Sequence, residues 1–236
     1  MRTRPRPGPR RLGGASVGRT RVALIAAGVT GAGAFLRLYR RWHQRWGATD
    51  EEVAMALPGD DLLPVAEFGP TRAITIDARP EEVWPWIVQI GYGRAGFYAY
   101  DLLDNLGRPS AERILPELQA PQVGDWIPMS PKINDTTAFR VRAFEPDRWM
   151  LWAKPDSTWC WSLRPIDDGR TRLLSRIRMK YAWHTPAVLV SLFLMEIGDF
   201  FMNRRELLGI RRRAEAIAAG RGPAPAVIRP AAVVAA

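Results

Sequence analysis

Short alternating segments between residues 123 and 181 constrain the fold of this 236-residue chain more than any other feature. In the segment from Thr158 to Arg164, Trp159, Trp161 and Leu163 share one side, which is the two-residue period of a β-strand. Asp167-Asp168-Gly169 then gives the strongest hairpin signal of the chain. The strands carry apolar residues on one face and arginines on the other. They predict an antiparallel sheet that is covered on one side only.

A strand that runs directly into a short helix precedes these segments. Thr71 to Asp77 alternates as a strand. Pro80 then suits the first position of a helix, where a missing N–H costs nothing. The apolar residues that follow, up to Gly91, give this helix a broad face to bury. We expect this unit to be the nucleus on which the later strands close.

A long helical element begins at Pro186 and runs to about Ala219. Its first half is apolar, but Glu196 and Asp199 interrupt it, and charges near a bilayer centre are costly. We therefore expect a buried helix that lies across the apolar face of the sheet, and not a membrane span.

The formal charge of +10 belongs to the N-terminal arm. Eleven arginines and no acidic residue precede Gly47, so the remaining chain holds 23 basic residues against 24 acidic ones. A nucleic-acid partner requires a basic face on a folded module. The charge lies outside the expected folded part, so we expect no nucleic-acid partner.

An apolar run from Val22 to Leu38 follows the basic start. With Arg37 counted as snorkelling, the run has 17 residues, the lower limit of the roughly 17–25 that a spanning helix needs. We interpret it as a membrane anchor, the alternatives being a cleaved signal peptide or an amphipathic helix on the membrane surface. The arginines on either side leave the orientation open. Ala27 and Gly31 lie four residues apart, which allows a weak homodimer through the anchor.

The sequence offers little for metal, cofactor or thiol chemistry. His43 and His184 stand in different segments with no carboxylate at ligand spacing, so we expect no metal. Ala26 to Gly31 imitates a dinucleotide fingerprint but lacks its strand–helix–strand setting, so we expect no cofactor. Cys160 is the single cysteine. It alternates onto the solvent side of its strand, and we do not expect a nucleophile.

Four segments carry a resemblance to a known superfamily. They are IDARPEEVWPWIVQIG (Ile76 to Gly91), GFYAYDLLDN (Gly96 to Asn105), the strand start Val123-Gly124-Asp125, and the closing FFMNRRELLGIRRRAE. The sequence resembles the START-like, Bet v1-like superfamily, also named SRPBCC or polyketide cyclase-like. The upstream RRWHQRWGATDEEV is similar to actinobacterial-type members with an N-terminal membrane segment.

The resemblance implies an α+β helix-grip fold, in which a curved antiparallel sheet surrounds a long C-terminal helix. The expected organisation is a disordered basic tail (1–21), an anchor helix (22–38), a linker (39–66), the helix-grip domain (67–220) and a disordered tail (221–236). Members of the superfamily bind lipids, sterols, quinones or polyketides between sheet and helix, and some catalyse cyclisation or dehydration.

Aromatic residues are the informative candidates for a site. They either line a cavity or pack as a solid core, and the sequence leaves both open. The predicted ligand-binding residues are Trp126, Phe139, Trp149, Trp159, Trp161, Met179, Phe193, Glu196 and Phe200.

Glu196 and Tyr100 are the candidate acid or base residues. Glu196 shares a helical face with Phe193 and Phe200 by spacing, and its alternative role is an ion pair with an arginine such as Arg94 or Arg113. The leading hypothesis is a membrane-attached protein that binds a hydrophobic small molecule, lipid or polyketide-like. The alternatives are a cyclase or dehydratase, and a membrane-tethered interaction protein with a filled core.

Overall fold

The computed structural model describes residues 28, 30–31, 33–183, 185–186 and 188–220. It divides into two compact units, 1–41 and 42–236. In the first unit, residues 33–41 are helical and expose Phe35, Leu36 and Leu38. Among the described helices, none is both long and apolar enough for a membrane crossing. Residues 22–27 of the predicted anchor and both predicted disordered tails lie outside the described residues.

The second unit contains the sheet and all the helices named below. Its helices are α1 (Asp50–Ala54), α2 (Pro80–Val88), α3 (Asp101–Asp104), a 3₁₀ turn (Pro116–Leu118), α4 (Val188–Phe193), a π-helical turn (Leu194–Gly198) and α5 (Asp199–Ala218). Its strands are β1 (Thr71–Ile76), β2 (Trp126–Pro128), β3 (Ala138–Glu145), β4 (Trp149–Lys154), β5 (Ser157–Asp167) and β6 (Arg170–Met179).

The six strands form one antiparallel sheet in the order β1-β6-β5-β4-β3-β2. The closing helix α5 packs against α2 and β1. We call the face of the sheet toward α5 the inner face and the opposite one the outer face. This is the α+β helix-grip architecture, so the predicted fold is confirmed.

The strand register places two rows of large side chains on the inner face. Paired residues of an antiparallel sheet share a face. One row therefore runs across five strands through Arg72, Ser175, Trp161, Met150 and Phe144. The next runs across four strands through Ile177, Trp159, Trp152 and Val141. The apolar members of both rows belong to the main hydrophobic core.

The outer face carries a second, smaller layer, which corrects the expectation of a sheet covered on one side only. Leu57 packs there against Leu151 and Leu174 of the sheet, and this small cluster also holds Cys160. Cys160 is buried and not solvent-facing, and burial raises the pKa of its thiol to about 12. Part of the predicted linker (39–66) therefore packs on the sheet.

Arginines of β6 hold this segment in place. Arg172 pairs with Glu52 at 2.6 Å, and Arg176 pairs with Asp60 at 2.6 Å. Arg176 also donates to the carbonyl oxygens of residues 52, 53 and 55, and Arg178 donates to Leu63 O at 2.8 Å. These are the residues that the alternation places on a cationic solvent face. The alternate residues of β6 face the core. Its arginines therefore lie on the outer face, where they bind the backbone of residues 52–63.

We predict that Arg176→Met lowers the free energy of unfolding by about 3 kcal/mol, because the change removes the closest cation from Asp60 and the guanidinium donor from several carbonyl oxygens. The matched change Arg148→Met removes an exposed guanidinium and is expected to cost below about 1 kcal/mol. Chemical denaturation of both variants measures this. Equal losses in the two variants would contradict the role of Arg176.

Candidate functional site

A buried polar cluster lies between the inner face and the closing helix. Arg72 of β1 is fully buried, and its Nη1 donates to Asp199 Oδ2 at 2.6 Å and to Asn203 Oδ1 at 3.2 Å. Its Nε donates to the main-chain oxygen of His43 at 2.9 Å. The alternation of β1 puts Arg72 on one face with Ile74 and Ile76, and Arg72 is not among the predicted site residues. A lone cation on the apolar face of a strand is the signal that could have found it.

Glu206 extends the cluster along α5. Asn203 Nδ2 donates to Glu206 Oε2 at 3.3 Å and to Ser175 Oγ at 3.2 Å, and Trp159 Nε1 donates to the same Ser175 oxygen at 2.9 Å. Glu206 is buried, and this burial raises the pKa of its carboxyl well above the ordinary value. Burial disfavours the charged carboxylate, so the environment of Glu206 favours the protonated form of its side chain.

Four buried polar atoms around this cluster find no hydrogen-bond partner among the described residues. They are Arg72 Nη2, Glu206 Oε1, Trp152 Nε1 and Trp161 Nε1. Three of the four are N–H donors, and a buried donor without an acceptor is costly in a protein interior. The inner face is therefore well supplied with donors for a group that carries acceptor oxygens.

Three tryptophans lie beside this cluster on the inner face. Trp159 stacks on Trp161 at a ring-centroid distance of 4.9 Å, and Trp152 lies edge-on to both at 5.4 and 5.6 Å. These rings supply flat apolar surface beside the polar cluster.

Several predicted ligand-binding residues meet at this interior. Phe139, Trp159 and Trp161 are buried in it, and Met179 is partly buried at its edge. Phe200 is buried beside the guanidinium of Arg72, at 5.6 Å. Trp126 and Trp149 lie on the outer face and cannot line the interior. Arg140 covers the ring of Trp126 at 3.5 Å, and Trp149 packs in the outer cluster.

The first half of the closing helix departs from the predicted spacing. Phe193 is 63% exposed, whereas Phe200 is buried. The π-helical turn between them has i→i+5 hydrogen bonding, which changes the spacing of an α-helix. Phe193 therefore does not share the inward face of Glu196 and Phe200 that the sequence predicts.

Glu196 faces inward and pairs with Tyr181 and His43. Tyr181 Oη donates to Glu196 Oε1 at 3.2 Å, and His43 Nε2 lies 3.5 Å from Oε2. The alternative partner Arg94 instead donates to the carbonyl oxygens of residues 88 and 90.

Tyr100, the other acid or base candidate, is 41% exposed and lies under Arg205 at 5.6 Å. His184 lies outside the described residues.

Two depressions flank the second half of α5. One, of about 300 Å³, is lined by Tyr98 and Asp101 of the GFYAYD segment, by Ser110, and by Arg205, Gly209 and Arg213 of α5, among others. A groove of about 530 Å³ lies further along α5, at Leu208, Arg211 and Glu215.

Within the described part of the chain, no group of three or more His, Cys, Asp or Glu side chains is arranged to hold a metal ion.

We predict that Glu206→Gln changes the pH dependence of stability. Because burial raises the pKa of Glu206, the parent keeps its full stability below the ordinary carboxyl pKa and loses part of it as pH rises. Glutamine does not titrate, so the variant lacks this loss of up to about 1.4 kcal/mol per pH unit. Denaturation between roughly pH 4 and pH 8 measures the two slopes.

Glu52→Gln provides the opposite case. The hydrogen bond from Arg172 lowers the pKa of Glu52, so this carboxylate stabilises the fold above its ordinary pKa and the contribution fades as pH falls. The Gln variant should lose stability at neutral pH. If the stability of the parent and that of Glu206→Gln changed with pH in the same way, the raised pKa of Glu206 would be contradicted.

Comparisons with known proteins concern the fold. No family model matches the chain, and no curated protein sequence matches it. Among solved structures, it is similar to a Polyketide_cyc-like protein from Corynebacterium glutamicum, with 19% identity over 63% of this chain and 92% of that one and a TM-score of 0.33. It is also similar to a protein from Thermobifida fusca, with 12% identity over 62% of this chain and 92% of that one and a TM-score of 0.39.

A third similar structure is the di-domain ARO/CYC protein BexL. It shares 12% identity over 63% of this chain and 47% of that one, with a TM-score of 0.35. We draw no functional conclusion from these likenesses. By its own strand order and closing helix, the chain has the helix-grip fold of SRPBCC-type proteins.

Proposed function

We propose that the chain binds a hydrophobic small molecule, lipid or polyketide-like, between the inner face and the closing helix. The observation that carries this proposal is the set of unpartnered buried donors: Arg72 Nη2, Trp152 Nε1 and Trp161 Nε1 are unpartnered among the described residues. A core that serves packing alone gains nothing from buried N–H groups without acceptors.

The arrangement favours a ligand with an apolar ring body and oxygen acceptors. The stacked rings of Trp159 and Trp161 offer the apolar surface. The guanidinium of Arg72 offers a donor to a carbonyl or hydroxyl oxygen, and so does the carboxyl of Glu206 in the protonated form that its burial favours. Since Asp199 already balances the charge of Arg72, the site suits a neutral ligand better than an anion.

The first half of the closing helix is the natural place for the ligand to enter. None of the described residues in α4 or the π turn is buried. Phe200 is the first buried residue of this helical element after them. A segment with few buried contacts opens at low cost, and π-helical turns are frequent at functional sites.

We predict that Trp161→Phe, which removes one orphan N–H but keeps an aromatic ring, weakens the binding of a naphthoquinone about two- to tenfold. Naphthoquinone is the probe because it joins an apolar ring system to carbonyl oxygens. Trp149→Phe is the matched control on the outer face. Isothermal titration measures both affinities, and naphthalene tests whether the carbonyl oxygens matter.

Native mass spectrometry of protein purified from its own host is expected to detect the natural ligand as a bound small molecule. A protein without bound small molecules that also ignores both probes would contradict the binding proposal. It would support the alternative of a core filled by its own side chains.

A second candidate function is a cyclase or dehydratase reaction with Glu206 as the acid. The specific observation is the buried carboxyl of Glu206, whose Oε1 has no hydrogen-bond partner among the described residues and whose pKa is raised by burial, because a general acid must hold its proton near the operating pH. Glu196, which pairs with Tyr181 and His43, and the exposed Tyr100 stay the candidates that the sequence predicts for an acid or base. Turnover that disappears in Glu206→Gln while ligand affinity persists would support it.

Membrane attachment is a further part of the proposal. It is supported by the apolar run Val22 to Leu38 and by the arginines and tryptophans that follow it, at Arg40, Trp42 and Trp46. Such residues are typical of membrane interfaces.

We predict that the full-length protein sediments with membranes at low salt. Release by alkaline carbonate would indicate that Val22 to Leu38 lies on the surface, and resistance to carbonate would indicate a spanning segment. Protein that stays in the soluble fraction at low salt would contradict attachment.

A further inference from the structure

The outward side of the first half of the closing helix exposes large apolar side chains. They are 41–72% exposed, and we call them the apolar face: Leu189, Val190, Phe193, Leu194, Ile197 and Phe201. A contiguous surface of this kind marks a site of interaction with a protein or a membrane.

The acids of this segment do not interrupt the apolar face, although they do so in the sequence. Asp199 points inward to Arg72 at 2.6 Å, and Glu196 points inward to Tyr181 and His43. Both carboxylates are thereby bound within the fold. The outward surface is left apolar, without the charges that made a membrane location unfavourable in the sequence.

Cationic residues continue the exposed side of the helix. Arg204 and Arg205 follow Phe201 by about one turn, and both are exposed. Their guanidinium groups lie over the rings of Trp46 and Tyr100, at 5.0 and 5.6 Å. An apolar stretch next to arginines and aromatic rings is the composition of helices that lie in a lipid interface.

The first residue of the second unit lies near the apolar face. Trp42, the first residue of the second unit, is 54% exposed and its ring lies 4.9 Å from that of Phe200. Phe200 in turn contacts Phe201 at 5.3 Å. Three residues separate Leu38 from Trp42 in the sequence.

From these observations we propose that the apolar face docks on the surface of an anionic lipid bilayer, with Arg204 and Arg205 against lipid phosphates. This inference rests on the proposed membrane attachment and adds a second contact, made by the folded domain itself. It places α4 and the π turn, the proposed path into the interior, at the bilayer. A hydrophobic ligand then exchanges between interior and membrane without crossing water.

A fluorescent label at one position tests this contact in the full-length protein. Phe193→Cys carries the environment-sensitive label NBD in the apolar face, and Ile166→Cys carries it at an exposed strand position. The buried Cys160 thiol, with its pKa near 12, stays unlabelled. Vesicles contain phosphatidylcholine with or without phosphatidylglycerol, and a spin-labelled lipid serves as quencher.

The expected result is a several-fold rise in NBD emission at position 193 on anionic vesicles, with quenching by the spin-labelled lipid, and no change at position 166. The double change Arg204→Gln with Arg205→Gln should shrink this response. Arg211→Gln with Arg212→Gln, which removes the same charge further along α5, should not.

Three outcomes overturn the inference, and each is distinct. Bound protein with an unchanged label at position 193 would mean that only the N-terminal segment holds the membrane. A label that is already shielded without vesicles would mean that the protein itself covers the apolar face. Protein that does not sediment with vesicles at all would reject membrane attachment as such.

Discussion

The structure depends on one buried guanidinium. Arg72 joins the first strand to the closing helix through Asp199 and Asn203, and to the chain before the sheet through the main-chain oxygen of His43. A buried charge is tolerated only where its partners replace water. These three contacts share one side chain, so they hold the closing helix, the first strand and the segment at His43 together. Glu206 and Ser175 take their places in the cluster as a result.

Strand β6 shows how one segment serves two layers. Leu173, Ser175 and Ile177 face the closing helix, while Arg172, Arg176 and Arg178 face outward and bind the segment around α1. The outward arginines cover the second face of the sheet with a polar backbone that has few apolar residues of its own. This is why a stretch with the composition of a linker becomes part of the folded body.

The closing helix is divided in the same way. Its inward side carries the polar cluster and the acids that pair within the fold. Its outward side changes from apolar at Phe193 to cationic at Arg204. The π turn separates the exposed first half from the buried second half, so the part nearest to the proposed membrane surface is also the part least anchored to the core. Ligand binding and membrane docking thus belong to two sides of one element.

The sequence by itself determined the fold class, the strands and the long closing helix, because alternation and turn residues act locally. It also placed Trp159, Trp161 and Phe139 together on faces that are buried. Tertiary structure decided the rest. Whether Trp149 faced inward depended on the parity of β4 in the sheet, and the outward position of Phe193 depended on a π turn that no local pattern indicates. The role of Arg72 arose only when a strand and a helix 127 residues apart in the chain met, since a buried charge is stable only beside partners that the fold supplies.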